Sequence, residues 1–487
     1  MHSLLARAVR ANMPRAKSDL AHLVSCRSVF NPAVEPVAEC VTAASLTESL
    51  LSEIGMPVTA TATPDGSLAV LARARGKGPA VLLYTHHDVV PAGPLEDWDT
   101  NPWVLTERGG RWYGRGAADC KGNVVAVLTA LRAVRDVVGR WPLEIAVVVE
   151  GSEEQSTGGM EALARKRPEL LKADVVVLAD TGNIALGQPT LTTTLRGTGS
   201  VRVTVDTMSV PAHSGMFGGA APDALQALVT ALATLRGPDG ETTIDGLAAT
   251  GTWSGAPYSS ARFVHDAHLV DGVLPLSEPG EDVPAAIADR LWARPAATVL
   301  AIDAPRVDRL SAAIQGRARA VVNLRVPPGM DSAAAQQLLI QHLKRHTPYG
   351  RVTVEPLTLG APFEAATDGP AYAAMRKSMR AAFGVEPVTT GQGGSIPLAV
   401  AVHELHPDAE ILLLGVEEPQ CRIHSPNESV DPAEIERTAL ALALFLTRLA
   451  GLTDDMVSHQ PSGLENRASS VTLEGVRNGP PVPPVPA

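Results

Sequence analysis

Four short apolar runs in this chain each end just before ionisable side chains, and that pattern restricts the fold more than any other feature. Ala80–Thr85 runs into His86, and Leu143–Val149 leads to the pair Glu153 and Glu154. Asp174–Leu178 is followed by Asp180, and Glu410–Leu414 precedes a loop containing His424. Brief, nearly continuous apolar runs bounded by turns mark strands covered on both faces, as in a parallel sheet. Helical periodicity lies between them, at Val124–Val138 and Glu161–Leu171. Alternating strands and helices predict an α/β fold with a mainly parallel sheet. Polar residues just beyond such strands occupy the usual position of an active site.

The pattern changes near Thr192. LTTTLRGTGSVRVTVDT alternates like an exposed antiparallel strand, and ARAVVNLRVPP at 318–328 does the same. Helical stretches at Asp223–Leu235 and Ser332–His346 complete a two-layer α+β unit. The chain thus divides into 1–190, an inserted unit at 191–355, a return to the first unit at 356–452, and a Pro-rich tail at 453–487 expected to be disordered. With 487 residues, 45% of them hydrophobic, the chain exceeds one ordinary domain. Residues 1–27 read as an amphipathic helix. The last helix starts at Asp431-Pro432, with Glu434 three residues after the cap.

A net charge of −11 disfavours nucleic acid as a partner and favours cations. The most apolar helical run, TALALALFLTRLAGL, is interrupted by Arg448 and is too short to span a bilayer, so no membrane partner is expected. No signal-peptide core stands out near the N-terminus. The four cysteines form no CxxC pair and a core this large needs no disulfide framework. These features predict a soluble, cytoplasmic protein.

The chemistry-bearing residues come in clusters. His86 and Asp88 share a side of an extended segment, so the aspartate can orient a metal-binding imidazole. The plainer reading of the same triplet is an Asp–His hydrogen bond at a strand end. Asp119 lies in a glycine-bordered loop before an apolar helix, suited either to bridge two cations or to cap the helix. Adjacent carboxylates at Glu153 and Glu154 repel unless a cation or a raised pKa relieves them. One can bind metal while the other serves as general base; the alternative is a solvated acidic turn. Two histidines and three carboxylates are then available for two divalent ions: His86, Asp119 and Asp180 for one, Asp119, Glu154 and His424 for the other. Imidazole with carboxylate suits zinc, with manganese or cobalt as alternatives. His87 is read as structural or solvent-facing, Lys121 as solvent-facing or ion-paired, and Cys120 and Cys421 as structural.

The ordered set THHDVV, YGRGAADCKG, EGSEE, Asp180 and CRIHS resembles the M20 family of dinuclear metallopeptidases over about residues 15–452. The resemblance implies His86, Asp119, Glu154, Asp180 and His424 as metal ligands, Asp88 as the orienting aspartate and Glu153 as general base. It also implies that the inserted unit is a lid and homodimerisation domain. From it, His213 in PAHSGMFGG would reach a neighbouring subunit's site and stabilise an oxyanion. Arg325 resembles the arginine that binds a substrate carboxylate, Asn323 lies two residues away on the same strand face, and Ser395 in GQGGSIP resembles a substrate-binding loop residue. The implied reaction is hydrolysis of small L-dipeptides. Aspartate at position 180 points toward the dipeptidase–carnosinase branch, although 295–307 lacks the glycine-rich pattern associated with carnosinases. The alternatives are an N-acyl or N-carbamoyl amino-acid amidohydrolase and, in a different class, a non-catalytic metal- or ligand-binding protein.

Overall fold

The computed structural model describes residues 1–277, 282–394 and 396–452; the tail at 453–487 lies outside the described residues. Its largest element is a nine-stranded mixed sheet. In spatial order the strands are Val58–Ala62, Leu68–Ala74, Glu144–Glu150, Ala80–His86, Val175–Ala179, Glu410–Leu414, Thr190–Leu195 and Phe363–Glu364, with Val388–Gln392 also paired to Thr190–Leu195. The four strands from Glu144–Glu150 to Glu410–Leu414 run parallel, and three of the predicted ionisable clusters follow directly from their ends. The flanking strands supply the antiparallel pairings.

Alternate side chains of these buried strands enter two different cores. Val81, Leu83, Val147, Val177 and Leu412 pack under the helices His2–Ser25, Lys121–Val138 and Pro432–Leu449. Leu82, Val148, Val176 and Leu413 face the opposite layer, with Met160, Leu163 and Val402. The sheet is therefore covered on both sides, as the runs without alternation require. The helix expected at Glu161–Leu171 is shorter: it spans Gly159–Lys166 and gives way to a single 3-10 turn at Pro168–Leu170. Pro168 explains the stop, because it lacks an N–H to donate and disfavours helical backbone in the residue before it.

A second, four-stranded antiparallel sheet has the order Ala296–Asp303, Arg317–Val326, Gly197–Asp206, Arg351–Gly360. Helices Ala224–Ala233 and Ser332–His346 cover one face, closing a separate core around Val203, Leu228, Leu324 and Leu339. The segment read as one alternating strand from residue 191 is two strands in two sheets. Thr190–Leu195 belongs to the large sheet and Gly197–Asp206 to the small one, with Arg196 at the crossing. The alternation of threonines with leucines fits either sheet, so periodicity alone does not mark the change.

A three-stranded patch has a positional role. Thr106–Arg108 pairs with Arg111–Tyr113, which pairs with Ser429–Val430. It fastens the segment after His424 against the segment before Asp119. Among the described residues no helix is long and apolar enough to cross a membrane.

Candidate metal centre

His86 ends its strand fully buried, and its Nε2 lies 3.2 Å from Asp119 Oδ1 and 3.1 Å from Asp180 Oδ1. His424 approaches the same Asp119 from the other side, with Nε2 2.9 Å from Oδ2 and 3.1 Å from Glu154 Oε2. Asp119 thus touches both imidazoles, one through each oxygen. The donor atoms of His86, Asp119, Cys120 and Asp180 lie within 4.8 Å of one another, as do those of Asp119, Glu154 and His424. Cys120 joins the first group with its Sγ donating to Ala179 O at 3.2 Å.

The positions follow from local backbone. Asp180 comes directly after the strand Val175–Ala179, and Glu153 and Glu154 occupy a short 3-10 turn three residues past Glu150. Asp88 braces that turn: its Oδ1 accepts from Glu153 N and its Oδ2 from Glu154 N, each at 3.1 Å. The Asp88 carboxylate stands 3.4 Å from His86 Nδ1, whereas its backbone carbonyl lies 3.1 Å from that nitrogen. Orientation of the imidazole, expected from the carboxylate, is shared with the main chain. His424 sits in a loop where Arg422, His424 and Asn427 all have positive φ, at 55°, 60° and 63°. Non-glycine residues hold such conformations only when their surroundings impose them. Asn427 shows how: its Oδ1 accepts from Asp99 N and its Nδ2 donates to Asp97 O.

Glu428, absent from the sequence reading, links the two halves of the centre. It is 1% exposed, and its carboxylate accepts from Arg115 Nη1 at 2.6 Å and from the backbone amides of Gly116, Ala118 and Asp119 at 3.0–3.1 Å. One buried carboxylate four residues after His424 therefore holds the loop that carries Asp119. Glu417, also unread, is buried against Asn123, whose Nδ2 donates to it at 2.6 Å. No local spacing signals either, because their partners are about three hundred residues away in sequence. Lys121 departs from the expected solvent-facing or ion-paired side chain: it is fully buried, and its Nζ donates to Cys26 O at 2.8 Å. His87 is structural and not solvent-facing, bonded through Nε2 to Leu68 O at 3.0 Å.

Electrostatics shows what the cluster lacks. Burial raises Glu154 to about 7, reinforced by the charge of Asp119. Burial also pushes Glu153 well up, with Asp180 adding to the effect, and raises Asp180 itself. Hydrogen bonds to Asp119 and then Glu154 pull His424 up to about 11. Buried carboxylates thus compete for protons supplied by the histidines, the signature of a negative surplus. Glu154 Oε1 is buried with no hydrogen-bond partner. Spare oxygen lone pairs, two imidazoles and uncompensated negative charge fit divalent cations. A third cluster, Asp245, His342 and His346, does not show this surplus. His342 engages Asp245 N at 3.0 Å and Thr234 Oγ1 at 2.8 Å, and Arg345 pairs with Asp245 at 2.8 Å.

Three of the remaining predicted residues, His213, Asn323 and Arg325, lie on the smaller sheet unit. His213 is exposed on a two-residue strand, and its Nδ1 accepts from Gly215 N at 3.1 Å. Asn323 is buried and already engaged, donating to Thr198 Oγ1 at 2.7 Å and Ser200 Oγ at 2.9 Å. Arg325 is half-buried and lies close enough to Arg196 for its charge to add to the burial that lowers Arg196 to about 10. Arg196 Nε is buried without a partner. Ser395 lies outside the described residues.

The imidazoles and carboxylates gathered beyond the ends of this sheet's strands form a candidate centre for divalent metal ions. The chain belongs to Peptidase family M20/M25/M40, which it matches over residues 82–448. It is 43% identical over 411 residues to the cysteinylglycine-S-conjugate dipeptidase of Corynebacterium striatum, covering 83% of this chain and 89% of that one. It is 30% identical over 407 residues to the Beta-Ala-His dipeptidase of Homo sapiens, covering 79% and 77%. The crystal structure of human carnosine dipeptidase 1 superposes with a TM-score of 0.78 at 25% identity, over 93% of this chain and 99% of that one. The family expected from the sequence motifs is borne out.

Proposed function

We propose that the protein is a metal-dependent dipeptidase acting on small L-dipeptides, with S-substituted cysteinylglycine among its substrates. The observation that carries this reading is Asp119 lying between His86 and His424, with one carboxylate oxygen toward each. The named activity of the Corynebacterium striatum relative supports the substrate class. His86, Asp119 and Asp180 would hold one divalent ion, and Asp119, Glu154 and His424 a second, zinc being the first choice and manganese or cobalt the alternatives. Bound there, the ions supply the positive charge that makes water acidic and an amide carbonyl electrophilic.

Glu153 is the general base in this mechanism. It takes a proton from the attacking water and returns it to the departing amine nitrogen. Burial first, and then the charge of Asp180, raises its proton affinity, the direction that makes a carboxylate a stronger base. Asp88 keeps Glu153 and Glu154 in place through their amides. Arg325, reinforced by Arg196, receives the substrate's terminal carboxylate, with Ser395 and Asn323 as further positioning groups.

The smaller sheet unit is the lid and dimerisation module of this reading, with His213 reaching a partner protomer's site to hold the developing oxyanion. Exposed Val299, Leu300 and Ile302 on the edge strand Ala296–Asp303, and exposed Met216 and Phe217 beside His213, support a homodimer. Four free, buried cysteines support a reducing, cytoplasmic location.

The test is amino-acid release from a panel of L-dipeptides and matched N-acetyl amino acids, using metal-stripped protein resupplied with zinc or manganese. Metal-dependent cleavage of the free-amine dipeptides is expected. Cleavage of the acylated compounds alone would replace the reading with an amidohydrolase.

A further inference from the structure

A cavity of about 490 Å³ opens beside the metal centre. Its inner wall comes from the loops that carry the ligands: Gly182 and Ile184 lie just after Asp180, and Ile423 directly precedes His424. Gly182 packs so closely that an added Cβ would meet Glu417 O at 2.6 Å, so backbone forms this part of the wall. The outer wall comes from the smaller unit, where Tyr258 and Trp292 face the cavity. These two rings belong to a packed group. Trp253 and Trp292 have centroids 5.1 Å apart, Tyr258 and Phe263 5.6 Å, and Tyr258 and Trp292 5.8 Å. The Tyr258 hydroxyl donates to Asp266 Oδ2 at 2.7 Å, which fixes the ring.

That concentration is unusual for this sequence. The chain has six Trp, five Tyr and six Phe among 487 residues; four of these rings pack together, and two of them, Tyr258 and Trp292, line the cavity. A glycine or alanine side chain needs no such surface. Tyr258 and Trp292 stand with Ile184 and Ile423 in a lining that is otherwise largely polar, Asp266, Glu418 and Arg422 included, and the rigid aromatic faces favour a substantial apolar group where it contacts them. The cavity also exceeds what a small side chain fills, since pockets of this volume hold drug-sized ligands.

We propose that this cavity receives the side chain of the substrate's N-terminal residue, and that Tyr258 and Trp292 make the enzyme selective for large apolar groups there, aromatic or S-alkylated. The inference rests on the dipeptidase reading and deepens it by assigning specificity to residues outside the metal cluster.

The experiment compares kcat/KM for Gly-Gly, Leu-Gly, Phe-Gly and S-benzyl-cysteinylglycine, alongside Gly-Leu and Gly-Phe, in the wild-type holoenzyme and in Trp292→Ala, Trp292→Phe and Tyr258→Ala. The wild type should prefer S-benzyl-cysteinylglycine over Gly-Gly by about tenfold or more, within the range a hydrophobic pocket supplies. Trp292→Ala and Tyr258→Ala should each reduce that ratio by about tenfold, and Trp292→Phe should restore much of it. Trp292 also packs against Gly391, so Tyr258→Ala carries the test if Trp292→Ala does not fold. An unchanged ratio in folded variants overturns the proposal, as does selectivity that follows the second residue of Gly-Leu and Gly-Phe instead of the first. If the wild type cleaves no dipeptide, the dipeptidase reading fails separately. Calorimetric titration of S-benzyl-cysteinylglycine into the holoprotein then decides the pocket: binding about tenfold weaker in Tyr258→Ala upholds it, and equal binding overturns it.

Discussion

Glu153 and Glu154 are adjacent in sequence yet differ in what they touch: the Glu154 carboxylate pairs with His424, whereas Glu153 bonds through its backbone, its amide donating to Asp88 and its carbonyl accepting from Ser156 N. Glu153→Gln should therefore leave metal content unchanged while lowering kcat by about 10²–10⁴-fold, the span of general acid–base catalysis; metal analysis beside steady-state kinetics checks both halves. His87 offers a test in stability. Burial lowers it to about 4, and Nδ1 is buried without a partner, so a proton there finds nothing to bond. The unfolded chain takes up that proton first, near the ordinary value of about 6.5, so the stability present above this pH is lost as pH falls toward about 4. In chelator, wild type should lose about 2 kcal/mol relative to His87→Gln between pH 7 and pH 5, from about 1.4 kcal/mol per unit; urea midpoints measure it. His86, Glu154 and Asp180 were legible as candidate ligands because each lies just beyond an apolar run, and Asp119 because it stands in a glycine-bordered loop before an apolar helix. Lys121 lies beyond the reach of such signals, because its partner, Cys26, comes from a distant segment.

At the scale of elements, local signals located the ends of helices better than the uses of their residues. Asp431 caps the helix Pro432–Leu449 as expected, its Oδ1 accepting from Ala433 N at 2.8 Å. Asp431→Ala should cost about 1 kcal/mol, seen as a lower melting temperature with kcat little changed. Glu434, three residues on, matches a capping-box position, yet its carboxylate accepts from Asn183 and Gly187 N and ties down the loop after Asp180. Periodicity likewise joined Thr190–Leu195 to Gly197–Asp206, because nothing local distinguishes strands that enter different sheets. The loop carrying Asp119 depends on Glu428 in the same long-range way. Glu428→Gln replaces a charged acceptor of four hydrogen bonds, and metal affinity should fall about 10–100-fold. Competition with a chromophoric chelator reads this directly, with no need for turnover.

For the whole molecule, the cluster of carboxylates makes folding and metal binding one equilibrium. With ions removed, Glu154 and Asp180 stay buried beside Asp119 with only His424 and His86 to offset their charge. Chelation should thus lower the melting temperature by several degrees, and zinc should restore it in proportion to its free concentration; scanning calorimetry across a zinc series measures the linkage. The fold class was legible from alternating strands and helices, but the spatial order of strands was not, since it depends on pairings between remote segments. Glu410–Leu414 lies between Val175–Ala179 and Thr190–Leu195, two strands otherwise close in sequence. That order has a consequence during synthesis. Until residue 414 has emerged from the ribosome, the growing chain carries a gap in the middle of its sheet, and until residue 428 has emerged the Asp119 loop lacks the carboxylate that accepts four of its hydrogen bonds. The peptide-cleaving site is thereby withheld from the nascent chain until both Glu410–Leu414 and Glu428 have been made.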